Sequence, residues 1–194
     1  MAVVEYWMLF VVLATGPETV TPSAAEVTPT VEVEAYGKVK KGTPTPHLAG
    51  PWVNGSSPDF NTTQHYAAQR AESGAQATVF VFFATTCKPC LKGIKQLAAA
   101  ATRLKAAGVS VILINSMETT DIITPWLKQH QVPDTFPVML DEFGGDCERF
   151  GCKEGTQLRL PLSVVVDEAG KTRAIFKQEG PDFVDRILGA VKTK

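Results

Sequence analysis

The chain has 194 residues, 44% of them apolar and 20% charged. That balance permits a packed core and, as a prior, one domain with extensions. A net charge of −1 supplies no basic face for nucleic acid, so no nucleic-acid partner is expected.

The opening stretch MAVVEYWMLFVVLATGP carries no charge from Tyr6 to Pro17. A membrane-spanning helix needs roughly 20 apolar residues, so the run is too short for a full span. It suits the apolar part of a secretory signal, and Ser23-Ala24-Ala25 offers a small-residue cleavage site before Glu26. No Lys or Arg precedes Lys38, so the positive flank of a standard signal is missing. Residues 1–25 are therefore expected to form a signal-like or anchor-like segment, and the protein to be extracytoplasmic. Residues 26–56 are rich in Pro, Thr and Gly and read as an extended linker. Within them, Thr30 to Tyr36 alternates like an edge strand. Residues 57–194 remain as the folded domain.

In that domain Thr62 to Ser73 reads as a short helix capped by Thr62 or Thr63. Ala77 to Ala84 is an unbroken apolar run with β-branched and aromatic residues, the pattern of a central strand buried on both faces. Leu91 to Ala107 reads as a helix with Ile94, Leu97, Ala98, Ala101 and Leu104 on one stripe and Gly108 as its stop. Val109 to Ile114 is a second strand, Thr119 or Thr120 to His130 a helix, and Phe136 to Leu140 a third strand. Glu142 to Phe150 is a short helix and Leu162 to Val166 a fourth strand. Asp167 to Gly170 turns into a strand over Thr172 to Lys177, and Pro181 opens a final helix to Ala190. Alternating strands and helices followed by a hairpin predict an α/β fold around one mixed sheet.

Two cysteines, Cys87 and Cys90, stand where the first strand gives way to its helix. The strand end brings Cys87 to the carboxyl edge of the sheet. The helix start directs unpaired backbone N–H groups and the positive end of the helix dipole toward it. Both favour thiolate, which assigns Cys87 as nucleophile, and Lys88 supplies a nearby cation that acts the same way. Cys90, one turn on and more interior, is placed to resolve a mixed disulfide between Cys87 and a substrate. Pro89 fits early in the helix, where its missing N–H is not needed. The competing reading is half a zinc site. It would need Cys147 and Cys152 as further ligands, at a wider spacing than a usual zinc knuckle, and a β-α-β setting favours the dithiol. The three histidines, His47, His65 and His130, are scattered. No cofactor and no metal are expected.

With these residues in view, the chain resembles the thioredoxin superfamily, and more narrowly its exported TlpA- and ResA-type thiol–disulfide oxidoreductases. FFATTCKPC is similar to their active-site stretch. Ser57-Pro58-Asp59-Phe60 resembles the element that opens those domains, and Phe136 to Asp141 their FPVxxD segment. Leu160-Pro161 stands at the position of their cis-proline, and Asp167 to Gly170 at that of their hairpin. The resemblance spans about residues 57 to 192. It implies a thioredoxin-like three-layer sandwich with a mixed central sheet flanked by helices. It also implies a cis Pro161 facing the dithiol, and a Leu160 backbone edge where, with Thr86, an extended substrate binds. The plainer alternative is a trans proline starting an edge strand. The implied partners are exported protein thiols or disulfides, with apocytochrome c as one candidate, and a membrane reductant donor.

Four positions depart from the relatives. Phe83 and Thr86 replace tryptophans before Cys87, which predicts a more polar rim. Val81 stands where thioredoxin has a buried acid, and Gly93 where ResA-type members carry glutamate, so an acid that assists proton transfer is missing from both. A peroxiredoxin shares the fold, but its P-x-x-x-T-x-x-C signature would need Pro and Thr where this chain has Phe80 and Ala84. A non-enzymatic alternative is a metal-handling or partner-binding module.

The second cysteine pair lies five residues apart. In an unbroken helix that separation is too great for a disulfide, which needs Cα atoms within roughly 7 Å. Gly151 as the left-handed residue of a Schellman turn would fold Cys152 back over Cys147. A local Cys147–Cys152 disulfide is expected, as a staple rather than a redox relay to Cys87 and Cys90, because no helix start there stabilises a thiolate.

Overall fold

A computed structural model describes residues 29–54, 58–71 and 76–192. The segment expected as a signal or anchor over residues 1–25, with its cleavage site at Ser23 to Ala25, lies outside the described residues.

The elements run in chain order as β1 (Val31–Glu32), β2 (Ala35–Tyr36), β3 (Val39–Lys40), β4 (Ala49–Gly50), β5 (Phe60–Asn61) and α1 (Thr62–Ala71). Then come β6 (Ala77–Phe83), α2 (Lys88–Ala99), α3 (Ala101–Ala106), β7 (Val109–Ser116), α4 (Thr120–Gln129) and β8 (Val138–Asp141). The last third holds α5 (Gly145–Phe150), β9 (Lys153–Glu154), β10 (Gln157–Leu158), β11 (Leu162–Asp167), β12 (Thr172–Gln178) and α6 (Phe183–Lys192). Six strands form one sheet in the order β1-β12-β11-β6-β7-β8. β6 pairs in parallel with β7 and antiparallel with β11, so parallel and antiparallel ladders meet on the strand that carries the cysteines.

Every residue of β6 is buried, because its alternating side chains serve two cores. Val79, Val81 and Phe83 join Cys90, Ile94 and Leu97 of α2, Trp126 of α4 and Phe183 of α6 on one face. Phe80 and Phe82 join Cys147, Cys152, Phe150 and Leu162 on the other. The sheet is thus covered on both sides, with the two cysteine pairs separated by it.

The expected helix over residues 91–107 is two helices. α2 starts earlier, at Lys88, and yields to α3 at Ala100, whose N–H is shared between the carbonyls of Gln96 and Leu97 at 3.1 Å each. That bifurcation tightens the last turn, and the apolar stripe runs on through both helices, so periodicity alone does not reveal the break.

Residues 29–54, read from composition as a linker with one edge strand, pack on the domain. β1 pairs with β12, Pro44 bridges to Lys171 and Trp52 to Met139. Val39 and Leu48 are buried in the second core. Each contact involves only one or two residues, which leaves no periodic trace in the sequence. Thr30 accepts a hydrogen bond from Gly180 N at 2.7 Å, donates one to Asp182, and lies against Gly180 so closely that a Cβ there would clash.

Candidate active site

The chain leaves β6 at Phe83 and turns through Ala84-Thr85-Thr86, with Cys87 N–H bonding back to Ala84 O at 3.0 Å. Cys87 then serves as the N-cap of α2: its backbone is extended, and Cys90 N–H donates to its sulfur at 3.2 Å. A helix start has donors to spare, and here one is aimed at the sulfur. Pro89 occupies the first turn. Cys87 is half-buried and Cys90 wholly buried, and the two form a disulfide with Cα atoms 5.3 Å apart.

Cys87 opens into a groove of about 390 Å³ lined by Ala84, Thr86, Lys88, Pro89, Leu158 and Leu160. Thr86 and Lys88 are exposed on the helix side, and Leu158 and Leu160 form the facing wall. The Leu160–Pro161 peptide is cis. Pro161 itself is buried and does not line the groove. Phe83 does not contribute to the rim: it is fully buried with its ring 5.4 Å from that of Trp126, so the polarity of the rim comes from Thr86 and Lys88.

Cys147 and Cys152 are also joined, with Cα atoms 4.9 Å apart and both residues wholly buried. Gly151 is left-handed at φ 84°, Cys152 N–H donates to Cys147 O at 2.8 Å, and Gly151 N–H to Glu148 O at 3.1 Å. These are the paired bonds of a Schellman turn. The other end of α5 is held by Asp141, whose carboxylate accepts from the N–H groups of Asp146 and Cys147 at 3.1 and 2.9 Å. Burial pushes the Asp141 carboxyl above its usual range against the pull of those donors. The two cysteine pairs sit on opposite faces of the sheet, so their four sulfurs do not converge on one metal site. The histidines stay apart as well: His47 bonds Thr62, His65 bonds Thr78, and His130 packs on Trp126.

Two carboxylates that sequence reasoning missed frame the dithiol. Glu118 grips the active-site turn. Its two oxygens accept from Thr85 N–H at 3.1 and 2.9 Å, one also accepts from the Thr85 hydroxyl, and Asn115 Nδ2 donates to the other at 2.6 Å. Met117, held left-handed at φ 64°, sets the turn that precedes Glu118. The partners are 33 residues apart, so no local motif announces them. Glu179 follows β12 and is buried inside the first core, where Ser163 Oγ donates to its Oε1 at 2.6 Å. Burial pushes its carboxyl up to about 7, the Ser163 bond pulling the other way. Glu179 and its partner Ser163 both lie far along the chain from Cys87 and Cys90, so no local motif announces it either.

The chain belongs to the AhpC/TSA family, whose description matches residues 53–175. It is 30% identical over 98 residues to the thiol-disulfide oxidoreductase ResA of Bacillus thuringiensis subsp. konkukian (strain 97-27), a match of 50% of this chain and 53% of that protein. The chain thus spans about half the length of the curated relatives it matches. Among solved structures it is similar to a thiol:disulfide interchange protein of the thioredoxin family from Chlorobium tepidum TLS. That match has a TM-score of 0.59 and 23% identity, over 78% of this chain and 97% of the other. It is also similar to the peroxidoxin BcpB of Mycobacterium tuberculosis, at a TM-score of 0.65 and 15% identity over 79% and 97%. At these identities the shared feature is the fold: a mixed central sheet flanked by helices, thioredoxin-like.

Proposed function

We propose that this AhpC/TSA-family chain is a protein thiol–disulfide oxidoreductase in which Cys87 attacks and Cys90 resolves. One observation carries the reading: a half-buried sulfur at a helix start, donated to by backbone N–H, opens into a groove with its bonding partner buried behind it. Attack needs a thiolate in reach of a substrate sulfur, and resolution needs a second thiol shielded from it. The ResA relatives support the same chemistry. The peroxidoxin likeness is one of shape, and Phe80 and Ala84 hold the positions where peroxide chemistry would need Pro and Thr.

In this reading Thr86 and Leu160 contact the substrate backbone across the groove, Pro161 supports Leu160 from behind, and Lys88 favours the Cys87 thiolate. Cys147–Cys152 is a structural staple. The substrates are thiols or disulfides of exported proteins, apocytochrome c among the candidates, with a membrane reductant donor behind the dithiol. Residues 57–194 carry the catalytic domain of an extracytoplasmic protein, with residues 29–54 packed on it, and residues 1–25 are its signal or anchor.

Insulin reduction with dithiothreitol as electron source, combined with redox titration of the dithiol, tests the activity. The wild-type chain accelerates the reaction and Cys87→Ser abolishes it; activity that survives Cys87→Ser rejects the assignment. Cys90→Ala stalls the mixed disulfide on Cys87, and mass spectrometry of the trapped partner decides whether it is an exported protein. Tight stoichiometric retention of zinc or copper by the reduced chain would instead favour a metal-handling module.

A further inference from the structure

Gly93 lies one turn beyond Cys90 on α2, and both are buried toward the sheet. A Cβ built on Gly93 would overlap the carboxyl group of Glu179. The absent side chain is therefore a socket, and the group that fills it comes from the end of β12. Side chains three apart on a helix stand roughly 5–6 Å from one another on the same face, so a carboxyl in that socket lies on the face of α2 that carries Cys90, one turn away. Ser163, which holds Oε1, pairs across the sheet with Val81. Glu179 Oε2 is buried and has no hydrogen-bond partner among the described residues. Glu179 also lies beyond residues 53–175, the stretch that matches the family. The acid that seemed lost at Val81 and Gly93 enters the same space from a different strand.

We propose that Glu179 is the general base of the resolving step, taking the proton of Cys90 and returning it in the reverse direction. The inference rests on the oxidoreductase reading above and deepens it. With a mixed disulfide on Cys87, the Cys90 S–H proton passes to the Glu179 carboxylate. The Cys90 thiolate attacks Cys87 Sγ, the Cys87–Cys90 bond forms, and the bond to the substrate sulfur breaks. The substrate leaves as thiolate with the electron pair of that bond. The two electrons that reduce the substrate disulfide come from the Cys87–Cys90 dithiol, and the proton stays on Glu179.

The groups facing Glu179 leave it to act on Cys90. On α2, Lys88, Lys92 and Lys95 are exposed, and Cys90 is the buried titratable group. From β11 comes Ser163. Beyond Gly180, Asp182 is taken up by Thr30 and Arg186. On α6, Asp185 pairs with Arg103 and Arg186 with Glu32. Among the described residues, burial raises the Glu179 carboxyl and the Ser163 bond lowers it, and no charged side chain shifts it.

The test follows the Cys87–glutathione adduct. Reduced full-length chain is mixed with oxidised glutathione, quenched with acid at short times and weighed by mass spectrometry on either side of neutral pH. In wild type the adduct resolves fast, and the rate falls as pH drops below about 7. Glu179→Gln slows resolution roughly 100-fold and removes that inflection. The double variant E179G/G93E, which returns a carboxyl to the helix, restores both. Resolution in E179Q at the wild-type rate with the wild-type inflection overturns the inference. Should E179Q fail to fold, Ser163→Ala serves: losing the bond that favours the charged carboxyl moves the inflection to higher pH, and an unmoved inflection overturns the inference. A wild-type chain that forms no adduct overturns the dithiol reading, and this one with it. An adduct that forms and resolves identically in wild type and E179Q overturns this one alone.

Discussion

Gly37 and Gly151 meet backbone to backbone. Both are left-handed, at φ 56° and 84°, and a Cβ on either would stand 2.5 Å from the Cα of the other. The N-terminal hairpin of β2 and β3 is thereby locked against the turn that closes α5 and holds Cys152. Ala at either position meets a left-handed penalty of about 1 kcal/mol and an unyielding backbone worth roughly 2 kcal/mol more. Gly42 is left-handed too, at φ 80°, but faces open space. Thermal unfolding is expected to rank Gly37→Ala and Gly151→Ala about 3 kcal/mol below wild type and Gly42→Ala only about 1 kcal/mol below. Equal losses at all three would remove the steric argument.

The two disulfides differ in access. Exchange requires a thiolate to reach a sulfur, and Cys147 and Cys152 are wholly buried while Cys87 is half-exposed. After mild dithiothreitol without denaturant, alkylation in a denaturing quench followed by mass spectrometry is expected to find Cys87 and Cys90 reduced and Cys147 and Cys152 still joined. Labelling of all four cysteines at one rate would restore the relay reading of the second pair. Cys147→Ala with Cys152→Ala should cost about 2 kcal/mol, the loop-closure value for so short a ring.

Glu118→Ala removes the acceptor for Thr85 N–H and for Asn115 Nδ2. Bonds to a charged group contribute about 1.5–3 kcal/mol, and the turn presenting Cys87 loses its brace. The expected outcome is a loss of about 2 kcal/mol by denaturant titration and roughly tenfold slower insulin reduction, from misplacement of the nucleophile. Unchanged turnover would show that the turn is held by other contacts.

Glu179 makes stability depend on pH in a direction opposite to a surface carboxylate. Its folded-state pKa is raised from 4.5 to about 7, so across that window the folded chain holds a proton that the unfolded chain has released. Stability therefore falls as pH rises from about 4.5 to 7. The shift corresponds to about 3 kcal/mol, at 1.36 kcal/mol for each pKa unit. Glu179→Gln is expected to flatten this part of the profile and to be more stable than wild type above neutral pH. A wild-type curve with no decline across the window would contradict the burial of a titrating group.

What could be read from the residues alone was what is local. The apolar run ending at Phe83, Cys87 and Pro89 at the helix start, and Gly151 four residues after Cys147 each lie within one turn or strand, where backbone geometry follows from residue type. Glu118 and Glu179 were not legible because their meaning comes from segments 33 and 16 residues away. Gly93 shows the limit best: in sequence it is a missing acid, and in the fold it is the space that another acid fills. Residues 29–54 looked like a linker because Val39 and Leu48 anchor it singly, with no repeat for a periodicity to detect.

Thr30 is hydrogen-bonded to Gly180 N–H, and Pro29 and Thr30 lie flush against that glycine. They close the backbone immediately after Glu179. Fraying of this strap would let solvent reach a carboxyl whose weak acidity depends on dryness, and hydration would return it toward an ordinary carboxylate. Thr30 thus bears on the dithiol only through Glu179, since neither residue lines the groove around Cys87.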